Sequence, residues 1–353
     1  MAKKIVYIAV FVLLVYLTNA FLFEPEERSP EFVRAVDANP EKFKRILIKD
    51  SIQLISNDLS DTTSIFRPMT LKVFDGNIYL SDFTDFSIYE YDLYGNLIGK
   101  IKTGRGRGPG EFLNLTDFDV IDKTIWAVDS QNMKISSFSV ETGELLTNIP
   151  VNRRPMRIAC LKNVFIIQWF GTEKLFSIFN YNGEELKQFG EIIEKQRQHI
   201  ASLDGTLISN YNDRFIYIPF YASLIYYFES DGKLINVIKG PDGIGFPTTK
   251  RDGARVWDPD FLYMRDGWIG KQNYLYVYTR LPESRNSEGS NKNVSPGFID
   301  KFNLETGMYV ASMEVPFSHS IAKFDPENHV IYSVDRGAQG KSFIHSLNGD
   351  INF

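Results

Sequence analysis

The chain predicts an all-β fold: a six-bladed β-propeller of four-stranded antiparallel blades, closed by an N-terminal strand and preceded by a hydrophobic N-terminal helix. Three observations lead there. Glycine turns recur six times, at Tyr94-Gly95-Asn96, Glu141-Thr142-Gly143-Glu144, Asn182-Gly183-Glu184, Asp231-Gly232-Lys233, Glu305-Thr306-Gly307 and Asn348-Gly349-Asp350. Each turn separates apolar, aromatic-rich runs of alternating character. A repeat of about 40–50 residues holding about four such runs is the pattern of a propeller blade. The 28 Phe and 18 Tyr residues suit strands better than helices.

The expected blades run Met69–Lys102, Leu115–Ile149, Met156–Phe189, Thr206–Lys239, Phe261–Val315 and Ile321–Leu347, within a propeller spanning 61–353. The second run of each is apolar almost throughout, as in Ile125-Trp126-Ala127-Val128 and Phe215-Ile216-Tyr217-Ile218. A strand covered on both faces reads this way. Blade six ends with the chain, so its outer edge would be left unpaired. The spare extended segment Phe43–Ile55, with Ile46, Ile48, Ile52 and Leu54, is the expected closing strand within residues 43–60.

Ahead of it, residues 1–23 read as a signal peptide or a membrane anchor, and residues 24–42 as a charged, Pro-containing linker. Lys3 and Lys4 precede an apolar run over Ile5–Phe23 that just reaches the roughly 17–25 residues an anchor needs. A cut after Thr18-Asn19-Ala20 is the alternative. Either reading puts the propeller outside the cytoplasm, held in the cell envelope by the anchor or secreted or periplasmic after the cut. The formal net charge of −5 gives no general attraction to nucleic acid. The single cysteine, Cys160, excludes an intrachain disulfide and sits in an apolar run, as a small buried hydrophobe would.

Three motifs carry a family resemblance. One is Gly104-Arg105-Gly106-Arg107-Gly108-Pro109-Gly110-Glu111-Phe112. The second is the Asp that ends second strands, in Tyr79-Leu80-Ser81-Asp82, Trp126-Ala127-Val128-Asp129 and Tyr332-Ser333-Val334-Asp335. The third is the turn Tyr91-Asp92-Leu93-Tyr94-Gly95. Over about residues 65–353 the chain resembles the NHL-like six-bladed propellers exported by Bacteroidetes-type bacteria. The strand-end Asp is missing from blades three to five. The resemblance implies a binding or scaffold domain and carries no catalytic residues or cofactor to transfer. Members are often lipoproteins, and this chain lacks the cysteine for that attachment.

The residues offer little catalytic chemistry. The glycine-rich loop lacks the Lys-Ser/Thr ending of a phosphate loop and reads as a blade crossing in which Gly supplies positive φ. Asp82, Asp129 and Asp335 read as Asx-turn acceptors. His199, His319, His329 and His345 have no zinc-ligand spacing. The enzyme alternative is a calcium-dependent, lactonase-like hydrolase or lyase, with Glu111, Asn114, Asp117, Asp204, Asp258 and Asp260 as candidate channel ligands.

Arginine is the more consistent signal. It recurs where a fourth strand passes to the next first strand, and Arg-Pro-Met occurs twice, at 67–69 and 154–156. These connections share one face of a propeller with the long loops Gly240–Asp260 and Arg280–Pro296. Arg67, Arg105, Arg107, Arg154 and Arg157 are the expected ligand-binding residues, because the guanidinium fork matches carboxylate, sulfate or phosphate. The alternative is that they staple blades together through carboxylates and carbonyls. The expected partner is an envelope protein, a peptide or an anionic glycan.

Overall fold

The structure is a computed structural model. It describes residues 41–47, 55–59, 65–191, 203–246, 264–270, 273–280, 297–315, 321–325, 328, 330–336 and 342–348. An edge strand, β1 (Ile55–Leu59), comes first in the chain. Blade one is β2 (Pro68–Phe74), β3 (Asn77–Asp82), β4 (Ile88–Asp92) and β5 (Leu97–Ile101). A two-stranded ladder follows, β6 (Gly104–Arg105) and β7 (Glu111–Phe112). Blade two is β8 (Leu115–Ile121), β9 (Thr124–Asp129), β10 (Lys134–Ser139) and β11 (Leu145–Pro150). Blade three is β12 (Pro155–Cys160), β13 (Val164–Trp169), β14 (Lys174–Asn180) and β15 (Glu185–Glu191). Blade four is β16 (Gly205–Ser209), β17 (Arg214–Pro219), β18 (Leu224–Glu229) and β19 (Leu234–Lys239). Blade five is β20 (Met264–Ile269), β21 (Tyr274–Arg280), β22 (Gly297–Asn303) and β23 (Met308–Val315). Blade six is β24 (Ile321–Asp325), β25 (Val330–Arg336) and β26 (Ser342–Asn348), with β1 as its fourth strand.

Five of the four-stranded sheets are antiparallel meanders, and the sixth is a three-strand meander completed by β1. Their first strands succeed one another around the axis in chain order, and β24 lies against β2 to close the ring. The hydrophobic core is divided accordingly, with a cluster between each pair of neighbouring blades. Phe165 and Ile167 of blade three pack on Trp126 and Val128 of blade two, and Tyr332 and Val334 of blade six pack on Leu71 and Leu80 of blade one. Second strands are therefore covered on both faces, which explains their continuous apolar runs. Each fully buried side chain of this kind is worth about 1.5–3 kcal/mol.

The turns behave as their glycines require. Gly95, Gly143, Gly183, Gly232 and Gly307 all have positive φ, between 67° and 89°. A bulge precedes each of these turns, at Tyr91, Phe138, Phe179, Phe228 and Phe302, and adds twist just before the chain reverses. The sixth turn lies outside the described residues.

Closure comes from an N-terminal strand within the expected residues 43–60, but later than the segment Phe43–Ile55. The strand is Ile55–Leu59, paired antiparallel with β26, rather than Phe43–Ile55. Residues 43–47 of that segment dock on blade five instead. Leu47 forms a parallel bridge with Ser312, Ser312 N donates to Ile46 O at 2.8 Å, and Phe43 N donates to Pro241 O at 2.9 Å. Arg45 anchors it through ion pairs to Asp242 and Asp300, a 2.9 Å bond to Ser312 Oγ and the face of Phe298 at 4.4 Å. Burial pushes the Asp300 carboxyl upward against the pull of Arg45. The first strand of blade five is also displaced from the expected 261–265 to Met264–Ile269. The apolar N-terminal run lies outside the described residues, among which no helix is long and apolar enough to cross a membrane.

Candidate ligand-binding face

One face of the ring carries the connections that enter first strands and leave second strands. Its backbone is fixed by strand-end carboxylates. Asp82 accepts from Thr84 N at 2.7 Å, the expected Asx turn, and also from Phe66 N and Arg67 N at 2.7 and 3.1 Å. Asp129 repeats this with Gln131 N at 3.0 Å and with Leu113 N and Asn114 N at 2.8 and 3.1 Å. The carboxylate thus ties the exit of the second strand to the entrance of the first. A backbone bond completes the joint in four blades: Phe83 N to Arg67 O, Ser130 N to Asn114 O, Phe170 N to Arg154 O and Phe220 N to Asp204 O, at 2.9–3.1 Å. Arg67, Asn114, Arg154 and Asp204 therefore hold equivalent positions in blades one to four.

The expected arginines fall into two groups. Arg67 and Arg154 are exposed. Each lies over the ring that follows its own second strand, Arg67 over Phe83 at 4.6 Å and Arg154 over Phe170 at 5.6 Å. Arg105 and Arg107 are exposed on the loop that joins blades one and two. None of these four makes an ion pair among the described residues. Arg157 is different. It pairs with Asp204 at 3.0 Å, donates to Gly205 O at 2.7 Å and Thr116 O at 3.4 Å, and faces Phe220 at 5.4 Å. It braces blades two, three and four beneath the face. Arg153, one residue from Arg154, pairs with Glu185 over Trp169.

The glycine-rich loop is a crossing between blades, as expected, but its glycines serve another purpose. Of its four, Gly110 has positive φ. Gly106 and Gly108 instead make room for the Glu111 carboxylate, which accepts from Gly108 N at 2.8 Å. A Cβ at Gly108 would come within 2.9 Å of that carboxylate, and one at Gly106 would collide with it. Asn132 and Lys134 donate to Gly106 O and Gly108 O at 2.8 and 2.7 Å. With these carbonyls held from below, Arg105 and Arg107 project from a fixed platform.

Inside the ring, buried and half-buried charges, most of them without a mark in the sequence, occupy matching register positions. Lys72, Asp119 and Lys323 sit opposite Tyr79, Trp126 and Tyr332, each three residues before the strand-end Asp. Asp117, Arg157 and Asp266 follow a bulge in their strands, a device that re-aims side chains. Lys72 lies 3.8 Å from Asp119, and Lys323 lies 3.3 Å from Asp266. Asp117 and Asp119 accept from Ile158 N and Cys160 N at 3.0 and 2.8 Å, satisfying the free inner edge of β12. Burial drives the Asp117 carboxyl up despite Lys72 and Arg157. Burial opposes the Lys72 charge, yet Asp119 and Asp117 carry its pKa above the usual value. Burial lowers Lys323 and raises the Cys160 thiol.

The calcium candidates do not assemble among the described residues. Asp117 is bound to β12, Asp204 to Arg157, Glu111 to the glycine loop, and Asn114 to Ser130 Oγ at 2.6 Å. No cluster of three or more metal-ligating side chains is present among the described residues, and Asp258 and Asp260 lie outside them.

This architecture defines a six-bladed propeller with an arginine-bearing loop face. The sequence matches the DUF5128 family, a 6-bladed beta-propeller, over residues 34–254, more than half of the chain, and the chain belongs to that family. Comparison with curated proteins finds no match. Among solved structures, the fold is similar to that of BF0058 from Bacteroides fragilis NCTC 9343, described as an exported protein (10% identity, TM-score 0.55, covering 87% of this chain and 97% of that one). A DUF4221 member from Bacteroides vulgatus is similar at 10% identity and TM-score 0.57, covering 85% and 98%. The virginiamycin B lyase of Staphylococcus aureus is similar at 10% identity and TM-score 0.50, covering 86% and 90%. Likenesses at this identity speak for the fold alone.

Proposed function

We propose that this protein is a non-catalytic binding propeller of the cell envelope that recognises an anionic group on its loop-rich face. One observation carries the reading: Arg67 and Arg154 occupy equivalent positions, are exposed, and lie over aromatic rings without an ion-pair partner among the described residues, while Arg153 and Arg157 beside them are paired. Guanidinium groups without an ion-pair partner among the described residues suit recognition of carboxylate or sulfate. Arg105 and Arg107 extend the same positive sector across blades one to three, and such a sector attracts anions despite the negative whole. The apolar run 5–23 and the exported neighbour support an extracytoplasmic location, with the segment either retained as an anchor or removed as a signal. The mass of the mature protein separates those two forms.

The test is binding of acidic oligosaccharides and acidic peptides to the full chain at two ionic strengths. Affinity falls with salt because the exposed charges are screened. The Arg67→Ala/Arg154→Ala protein binds weakly and stays folded. Equal affinity at both ionic strengths, or full affinity in the double variant, refutes the reading. A calcium-dependent rise in melting temperature, abolished by chelator, would favour the lyase-like class instead.

A further inference from the structure

A shallow recess with room for about one water-sized group lies between blades three and four on the arginine face. Its walls include Met156, Gln168, Phe170, Leu175 and Asp204. Gln168 is 1% exposed, a polar residue within the apolar run Phe165-Ile166-Ile167-Gln168-Trp169. Its orientation is fixed, because Nε2 donates at 2.6 Å to the carbonyl of Leu203, which also accepts from Tyr217 Oη at 2.6 Å. Gln168 Oε1 is then a buried acceptor with no hydrogen-bond partner among the described residues. The Asp204 carboxylate beside it is neutralised by Arg157 and accepts from Gly205 N at 2.9 Å.

The recess therefore asks for a compact hydrogen-bond donor carried on an apolar surface. Met156, Leu175 and the half-buried Phe170 ring supply apolar walls. Arg154, over that same ring, adds a cation at the rim. A sugar offers hydroxyl donors beside an apolar C–H face, and an acidic sugar adds a carboxylate within one ring's reach. We propose that this recess is a subsite for an acidic sugar: a hydroxyl donates to Gln168 Oε1, the C–H face rests on Phe170, and the carboxylate pairs with Arg154. The assignment rests on the arginine-face reading and narrows it from any anionic group to an acidic glycan.

The experiment titrates the full chain with oligomers of galacturonate and glucuronate, a sialylated trisaccharide, neutral glucose oligomers and a glutamate-rich peptide. The Gln168 side-chain amide is followed by NMR, assigned by its loss in Gln168→Leu. The expected result is that an acidic sugar binds, shifts that amide, and loses about tenfold in affinity in both Gln168→Leu and Phe170→Ala. If Gln168→Leu does not fold, Phe170→Ala and the wild-type amide shift decide. Binding that depends on Arg154 but leaves the amide unmoved and Phe170→Ala at full affinity overturns the subsite while the arginine-face reading stands. Binding of the peptide alone also overturns it. Binding of none of these probes overturns both.

Discussion

The two arginine groups should respond to mutation in opposite ways. Replacing Arg67 and Arg154 with Ala removes two exposed contacts with Phe83 and Phe170, at 4.6 and 5.6 Å. Exposed cation–π contacts are worth about 0.5–1 kcal/mol each, so the double variant loses about 1–2 kcal/mol of stability. In a chain of this size that lowers the melting temperature by less than about 5 °C. For anion binding, two charged hydrogen bonds at about 1.5–3 kcal/mol each predict a loss of about a hundredfold or more. Arg157→Met is the contrast. It leaves the Asp204 carboxylate without its 3.0 Å partner and strips Gly205 O and Thr116 O of their donor. Breaking a half-buried pair from one side costs less than the about 3–5 kcal/mol of a fully buried one, but more than losing an exposed contact. Scanning calorimetry of the three proteins gives the comparison directly. If the Arg67/Arg154 variant melts as early as Arg157→Met, those arginines are blade staples and the division drawn here fails.

Asp129→Ala removes the acceptor for the amides of Leu113, Asn114, Gln131 and Asn132, and should cost about 2–4 kcal/mol by chemical denaturation, well above a surface change. Gly106→Ala should destabilise the wild type through collision with the Glu111 carboxylate, and should be better tolerated in a Glu111→Ala background, a coupling that a double-mutant cycle measures. Stability should fall as pH rises above about 10.5, because the folded state holds the Lys72 proton more tightly than the unfolded state does. That contribution is complete below the unfolded pKa and disappears as pH climbs through the raised folded value. Lys72→Met should therefore shallow the alkaline limb by up to one proton, the remainder coming from tyrosines such as the buried Tyr91 and the half-buried Tyr181, whose pKa values burial raises.

The blade repeat was legible because its causes are local. A turn that needs positive φ selects Gly, and a strand buried on both faces selects an apolar run. The closing strand was placed too early because Ile46, Ile48, Ile52 and Leu54 alternate as a half-buried strand does. Yet Ile46 and Leu47 are largely exposed, and Arg45 holds that stretch through Asp242 and Asp300, about 200 or more residues away, where no local pattern points. The glycine loop was located correctly and explained incompletely, since room for Glu111 depends on three-dimensional approach. Arg67 and Arg154 were visible through the repeated Arg-Pro-Met, but Arg157 was indistinguishable from them until Asp204 was seen beside it. The inner charges Lys72, Asp119, Asp266 and Lys323 pair across blades, so single-strand reading passed over them. Gln168 did leave a trace, as the one amide in an otherwise apolar second strand.

The central claim is that this loop face is the binding face. Hydrogen-exchange mass spectrometry of the full chain, with and without a saturating acidic oligosaccharide, tests it most directly. Exchange should slow at residues 66–70, 104–112, 154–157 and 168–171, with the opposite-face turns at Gly95, Gly143 and Gly183 unchanged. Protection at those turns or along the outer strands, with the arginine segments unaffected, would contradict it.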